Sequence, residues 1–336
     1  MFLIDKYCPK DLEDIFFNRK VYTTIFPTLV KNNQNILVYG YDSSGKKTFV
    51  NFLLKEVYGS VETREEEYEI NNYGSNTVKV KITQSHYHFI FNPLGSAIDK
   101  YIIQEIIVQF CKKNDKHYFK ASVPYKTVLI HKADMLSHSA QSTLRRIIEE
   151  FSDKIRFFLI CKNTCSIIDP IKSRLLEIPM VCPNEKEVRF FINNIVEKEG
   201  IALSSQQISK ITNSSNRDIK TIFYSLECYK LKIELKSYWM IVLDGVLNKT
   251  LNCKQLTLID FAEIRDSINK LFISNIETEK IFQYILQRIS LEVKDLVKVV
   301  EISKLICEYD TKLKNATRYV LHFEALFLHI IFILHR

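Results

Sequence analysis

A single seven-residue pattern, Gly40-Tyr-Asp-Ser-Ser-Gly45-Lys46, limits what this chain can fold into more than anything else in it. It follows directly on the apolar run Asn35–Tyr39 (NILVY) and leads into the amphipathic stretch FVNFLLKEVY. A loop closed by glycine at both ends, set between a strand and a helix, lets the backbone wrap an anion. Its amide N–H groups and the helix N-terminus face the charge, and Lys46 adds a cation. Two of the chain's seven glycines stand at those two positions. Gly40, Ser43, Ser44, Gly45, Lys46, Lys47 and Thr48 are therefore read as a phosphate-binding loop for ADP or ATP.

The position after Lys46 departs from what hydrolysis requires. A Ser or Thr hydroxyl there normally meets Mg²⁺, and this sequence has Lys47. Thr48 comes one residue late, about 100° further round a helix. A working site of this type also ends a later strand with an Asp for the metal, followed by a Glu that orients water. Here Thr127–Ile130 (TVLI) is followed by His131 and Lys132. Neither replaces a carboxylate, so Mg²⁺ is not expected to be held in the usual way, hydrolysis is not expected, and no metal ligand is assigned. His131 reads as a relic, not as a base.

The remaining pattern extends the loop into a fold. Apolar runs recur at Tyr87–Asn92 (YHFIFN), Thr127–Ile130 and Arg156–Cys161 (RFFLIC), separated by amphipathic stretches at 46–57, 98–113 and 139–151. Strands apolar on both faces that alternate with helices predict a parallel sheet covered on both sides. Thr77–Ile82 (TVKVKI) alternates polar and apolar residues and predicts an exposed hairpin strand. Ile102, Ile106 and Phe110 form a stripe at helical spacing that reads as core. All seven prolines lie at or before Pro183, and the proline-free remainder predicts helices throughout, with clear periodicity at 187–196 and 277–289. One boundary is expected near Pro179–Pro183 and a second near 230–240. The domains are thus 1–180 (α/β nucleotide-binding), 181–235 (helical lid) and 236–336 (helical).

Composition adds little. A net charge of +8 favours an anionic partner such as nucleic acid only weakly, because lysines and carboxylates are mixed throughout. The eight cysteines, at 8, 111, 161, 165, 182, 228, 253 and 307, form no Cys-x-x-Cys pair and have no histidines at zinc spacing, so they read as reduced thiols. Asp5 and Lys6 interrupt the first apolar run, which argues against a secretory signal, and the apolar stretch 319–334 is too short to span a bilayer. A soluble intracellular protein with no membrane partner is the expectation.

Several segments resemble the small subunits of replication factor C. They are Ile-Asp-Lys-Tyr-x-Pro at 4–9, the Gly-Lys-Lys-Thr of the loop, Asp-Lys-Tyr-Ile-Ile-Gln-Glu at 99–105, and Ser-Ala-Gln-Ser-Thr-Leu-Arg-Arg-Ile-Ile-Glu at 139–149. Further on come Arg156–Asn163, Pro-Ile-Lys-Ser-Arg at 170–174, and His-Phe-Glu-Ala-Leu-Phe at 322–327, similar to the last helix of the family's collar. The resemblance covers most of 1–225 and returns near 318–327. It implies an AAA+ P-loop module, Rossmann-like with a helical lid, followed by an all-α collar through which five different subunits join into a hetero-pentamer. That assembly loads the sliding clamp PCNA onto primer-template DNA in the nucleus.

Carried over residue by residue, the resemblance gives Lys46 the β-phosphate, makes Asn163 the first sensor, and places Lys220 where a sensor arginine is usual. Gln141 would couple nucleotide state to DNA. Arg174 would be an arginine finger, on an exposed loop, completing a neighbour's ATP site. Cys8, Leu175 and Lys220 depart from the family pattern, as do His131 and Lys132. Lys100, Arg145 and Arg146 are candidates for DNA backbone contact, set against a plain solvated helix face or, for the arginines, an intersubunit pair. The competing functions are an active AAA+ ATPase of the initiator or remodeller type, which needs Asp-Glu at 131–132, and a monomeric nucleotide-binding regulator.

Overall fold

The computed structural model describes residues 2–32, 34–59, 63–71, 77–96, 98–112, 125–215, 217–233, 238–252, 258–274, 276, 278–314 and 319–335. The chain divides into two compact units, residues 1–233 and 234–336. The expected boundary at 230–240 spans residues 234–237, which lie outside the described residues, as do residue 113 and Cys253.

The first unit is built on one seven-stranded sheet. Its strands are β1 (Ile36–Gly40), β2 (Arg64–Asn71), β3 (Thr77–Gln84), β4 (His88–Phe91), β5 (Lys126–Ile130), β6 (Ile155–Cys161) and β7 (Leu176–Met180), in the order β2-β3-β4-β5-β6-β1-β7. β4, β5, β6, β1 and β7 are parallel. β2 and β3 form an antiparallel hairpin that joins β4 at one edge, so the sheet is mixed and the rest of it parallel.

The apolar runs are continuous because each parallel strand feeds two cores. Leu37, Val128, Ile130, Phe157 and Leu159 face one, while Ile36, Val38, Leu129, Phe158 and Ile160 alternate into the other. The first is closed by α4 (Ile98–Tyr101), the π-helical turns Ile102–Ile107 and α5 (Val108–Lys112), together with α6 (His138–Glu150). Ile102, Ile106 and Phe110 are buried there, as the stripe predicts. The second is closed by α2 (Phe26–Asn32) and α3 (Lys46–Tyr58) through Phe26, Leu29, Phe49, Val50 and Leu53.

Helices α8 (Glu185–Glu199), α9 (Ser205–Ser214) and α10 (Ile219–Leu231) make the lid around Val188, Ile192, Ile222 and Leu226. The N-terminal α1 (Leu3–Lys6) packs here too: Leu3 belongs to this core, and Tyr7 stacks on Phe223 at 6.2 Å. Glu199, its side chain only 4% exposed, ties the two ends of the unit together. It accepts from Lys6 Nζ (2.6 Å), Tyr7 Oη (2.7 Å) and Lys230 Nζ (2.9 Å).

These donors, Lys6 foremost, hold the Glu199 carboxyl at about 2, below its ordinary 4.5. Because the folded value is the lower one, this stabilisation is complete above pH 4.5 and is lost as pH falls toward 2. Glu199→Gln should therefore flatten the acid limb of a melting-temperature profile between pH 5 and 3. Parallel profiles for the two proteins would remove Glu199 from lid stability.

The second unit holds α11 (Tyr238–Asn252), α12 (Leu258–Ile273), α13 (Thr278–Glu292), α14 (Leu296–Lys314) and α15 (Tyr319–His335). Its core includes Leu243, Ile268, Ile285, Ile302, Phe323 and Phe327. Glu324, buried in the most apolar helix, is held in a two-pronged pair by Arg265 of α12. That explains a carboxylate in this stretch. Among the described residues no helix is long and apolar enough to cross a membrane.

Candidate functional site

The phosphate loop joins β1 to α3 and owes its shape to backbone that only some residues adopt. Gly40 (φ 149°), Ser43 (φ 58°) and Gly45 (φ 89°) all lie at positive φ, and Gly45 caps the N-terminus of α3. Gly40 pairs with Met180 of β7 so closely that a Cβ would stand 2.2 Å from the Met180 carbonyl oxygen. Ser44 Oγ is buried without a partner. Asn18 clasps the loop from outside: its Nδ2 donates to the carbonyls of Ser44 (3.4 Å) and Val181 (3.0 Å), and its Oδ1 accepts from Val181 N (3.2 Å). Nothing in the sequence marks Asn18, since its partners come from distant parts of the chain.

Lys46 folds its ammonium over the loop, donating to the carbonyls of Gly40 and Tyr41, each at 2.5 Å. Burial lowers its pKa, opposed chiefly by Asp42, which also pairs with Lys162 at 3.3 Å. Lys47 is exposed on the first turn of α3 and lies near enough to His131 to act on it electrostatically. His131 is buried at the end of β5, its N–H donating to Phe91 O (2.9 Å), its Nδ1 without a partner. Burial first, and Lys47 second, push the imidazole down to about 4, so it is neutral at pH 7. Lys132 follows in the left-handed region (φ 47°) and is exposed. The structure thus brings Lys46, Lys47 and His131 around the loop, and it adds a carboxylate that sequence reasoning passed over. Asp134, on the turn after β5, accepts from Lys162 N (3.3 Å) with one oxygen and acts on Lys46. Among the described residues no group of three His, Cys, Asp or Glu side chains could hold a metal.

The sensor candidates are placed unevenly. Asn163 follows β6, but its Oδ1 accepts from Cys165 N (3.0 Å), so its side chain shapes its own turn. Lys220 is exposed on the first turn of α10. It is Arg217, just before that helix, that acts with Lys46 and Asp218 on the Cys182 thiol, whose pKa is raised mainly by burial. Arg217 thus acts on the same thiol as Lys46, and nothing in the sequence singles it out.

Gln141 is buried and fully bonded. Its Nε2 donates to the carbonyls of Leu136 (2.9 Å) and Ser166 (2.8 Å), and its Oε1 accepts from Ile168 N (2.9 Å). It locks the start of α6 to the segment leading into α7 (Asp169–Lys172) and so to Arg174. Arg174 is not on a freely exposed loop: its side chain is 33% exposed and committed. Nη1 donates to Pro170 O (2.5 Å) and Ser173 Oγ (3.2 Å), and Nη2 meets Glu149 Oε1 at 2.6 Å. Together with Arg156, Ser152, Ser173 and Asn35 it lines a pocket of about 420 Å³. Lys100 is half-buried, whereas Arg145 and Arg146 are exposed on α6. Arg145 is paired with Glu149 at 3.0 Å.

Five parallel strands in the order β4-β5-β6-β1-β7, a phosphate loop after β1 and a helical lid define an AAA+ nucleotide-binding module. The profile of the family described as DNA polymerase III, delta subunit, matches residues 26–182. A putative replication factor C small subunit of Acanthamoeba polyphaga mimivirus is 30% identical over 321 residues, covering 93% of this chain and 84% of that one. Replication factor C subunit 5 of Saccharomyces cerevisiae is 26% identical over 96% of each chain, and human subunit 3 is 25% identical over 96% of this chain and 93% of that one. A solved DNA polymerase III gamma subunit-related protein of Thermotoga maritima shares the fold, with 13% identity and a TM-score of 0.50 over 92% of this chain and 98% of that one. The chain belongs to the small subunits of replication factor C, and its relatives include those numbered five in yeast and three in human. It is a clamp-loader subunit, a member of a multi-subunit ATPase complex.

Proposed function

We propose that this chain is a non-hydrolysing member of a hetero-pentameric clamp loader, one that retains ADP or ATP at its own loop and supplies Arg174 to a neighbour's site. One geometric observation carries the reading: the loop and Arg174 lie at opposite edges of the same strands. The loop leaves the C-terminal end of β1, where Gly40 pairs with Met180, whereas Arg174 precedes β7, whose first residue pairs with Ile36. Five strand residues separate the two edges, roughly 16 Å at about 3.3 Å each. Arg174 is therefore out of reach of its own loop, and its partly exposed guanidinium would meet another chain from the position in which Pro170 and Glu149 hold it. There a cationic fork stabilises the charge spread over a transferring phosphoryl group.

The loop fits phosphate. Its backbone is bent at Gly40, Ser43 and Gly45, and it offers the unpartnered hydroxyl of Ser44, the N-terminus of α3 and the cation of Lys46. Lys47, Lys132 and the neutral His131 do not fit Mg²⁺. An active initiator or remodeller ATPase would need carboxylates at 131 and 132. The larger task, loading PCNA onto primer-template DNA in the nucleus, rests on the family. Arg146, with Lys100 and Arg145 as lesser candidates, would follow the DNA backbone without reading bases.

Co-purification with partners, followed by extraction of the bound nucleotide, tests the reading. The isolated chain should show no ATP turnover above background and should carry ADP. Because Lys47, His131 and Lys132 offer Mg²⁺ no carboxylate, EDTA should change ADP affinity by less than about twofold. Turnover abolished by Lys46→Ala, or ADP released by EDTA, would overturn it.

A further inference from the structure

The ion pair that holds Arg174 assigns a role to a residue outside both sites. Glu149 stands on the last turn of α6, and its Oε1 receives both Arg174 Nη2 (2.6 Å) and Arg145 Nε (3.0 Å). The other terminal nitrogen of Arg174 is occupied by Pro170 O and Ser173 Oγ from its own turn. The guanidinium is thus fixed from two directions: its turn fixes one prong, and a separate helix fixes the other. Arg145 first, then Arg174, keep the Glu149 carboxyl below its ordinary range, so it is charged at neutral pH.

With 43% of the Glu149 side chain and 33% of the Arg174 side chain exposed, such a pair adds little to folding. Its physical consequence is orientation. A free arginine has several rotatable bonds to order before it can meet a phosphate, and an arginine already held in place has fewer. We propose that Glu149 is a positioning residue for Arg174, holding the finger in the direction in which it meets the neighbouring subunit's nucleotide. This rests on the reading of Arg174 as a finger. It also ties that finger to α6, the helix whose first turns carry Gln141 and, through it, the segment that ends at Arg174.

The test is a double-mutant cycle in the reconstituted complex, with ATPase rate, KM for ATP and elution volume measured for each variant. Glu149→Gln keeps the shape and an acceptor oxygen and removes the charge. It should lower kcat at the site served by Arg174 by roughly five- to tenfold, less than the 10²-fold that a ~1 Å misplacement can cost. KM and elution should stay unchanged. Glu149→Asp, which restores the charge one methylene short, should recover part of the rate. In an Arg174→Ala background, Glu149→Gln should have no further effect.

An equal loss in both backgrounds means that Glu149 acts elsewhere and overturns the proposal. So does an unchanged rate for Glu149→Gln when Arg174→Ala is impaired, a raised rate, or loss of assembly. An unimpaired Arg174→Ala instead removes the finger itself, and the positioning role with it.

Discussion

Arg174→Ala in the assembled complex should cut hydrolysis at the neighbouring site on the order of 10³-fold, the loss expected when an arginine finger is removed. The total rate should fall only in part, since other members keep their own fingers. The structure makes this a cleaner experiment than an unpaired arginine would allow. What the substitution removes locally is a half-exposed ion pair and two hydrogen bonds within one turn, so elution of the complex should be unchanged. Arg174→Lys should rescue little. A lysine cannot reach Glu149, Pro170 O and a phosphate together, because it lacks the planar fork. Normal elution with an unchanged rate would make Arg174 a surface residue, and disrupted elution would make its role structural.

The second large effect belongs to Gly40. A methyl group there would stand 2.2 Å from the Met180 carbonyl oxygen, which is backbone and cannot swing aside, on a residue whose φ of 149° already disfavours a side chain. β1 and β7 would have to part at the point where the loop begins. Overpacking and backbone strain each typically cost 1–3 kcal/mol, so Gly40→Ala should destabilise the chain by ~3 kcal/mol or more and weaken the nucleotide binding proposed for the loop. Gly45→Ala is the control. It has the same kind of backbone (φ 89°), but the nearest atom to its Cβ is the flexible end of Met180 at 3.8 Å. It should cost about 1–2 kcal/mol, the strain of a left-handed residue alone. Denaturant titration of the two variants checks the ranking, and equal losses would discard the clash.

The sheet was legible in the sequence where strands are apolar on both faces, and illegible where a strand depends on a partner. β2 reads as an acidic run, Arg64-Glu-Glu-Glu, and becomes a strand through the backbone ladder it makes with β3, in which Glu67 and Glu69 stand opposite Lys81 and Lys79 at 3.3 and 3.2 Å. β7 contains Pro179 and buries only alternate residues. It is tolerated because its outer edge pairs with nothing in the sheet. The loop was legible down to single residues because its chemistry is local. Asn18, Asp134, Arg217 and Glu149 were not, since each acts on a residue brought near by the fold alone. Arg174 stands out in the sequence, but its surroundings do not. A Ser-Arg pair after a proline says nothing of a glutamate on another helix.

The separation of the two edges also bears on symmetry. A contact in which Arg174 of one member approaches the loop of the next joins two different surfaces, so it is heterologous and has no two-fold axis. It cannot satisfy itself in a closed pair, since each member added leaves one loop face and one arginine face unmet. Such contacts end only when the rotation per step brings the last member back to the first; otherwise they continue as an open spiral. The number of members in the assembly is then set by an angle between neighbours. At least one position can remain where an arginine face, or a loop, meets no counterpart, and a member whose loop lacks carboxylates at 131 and 132 is suited to that place.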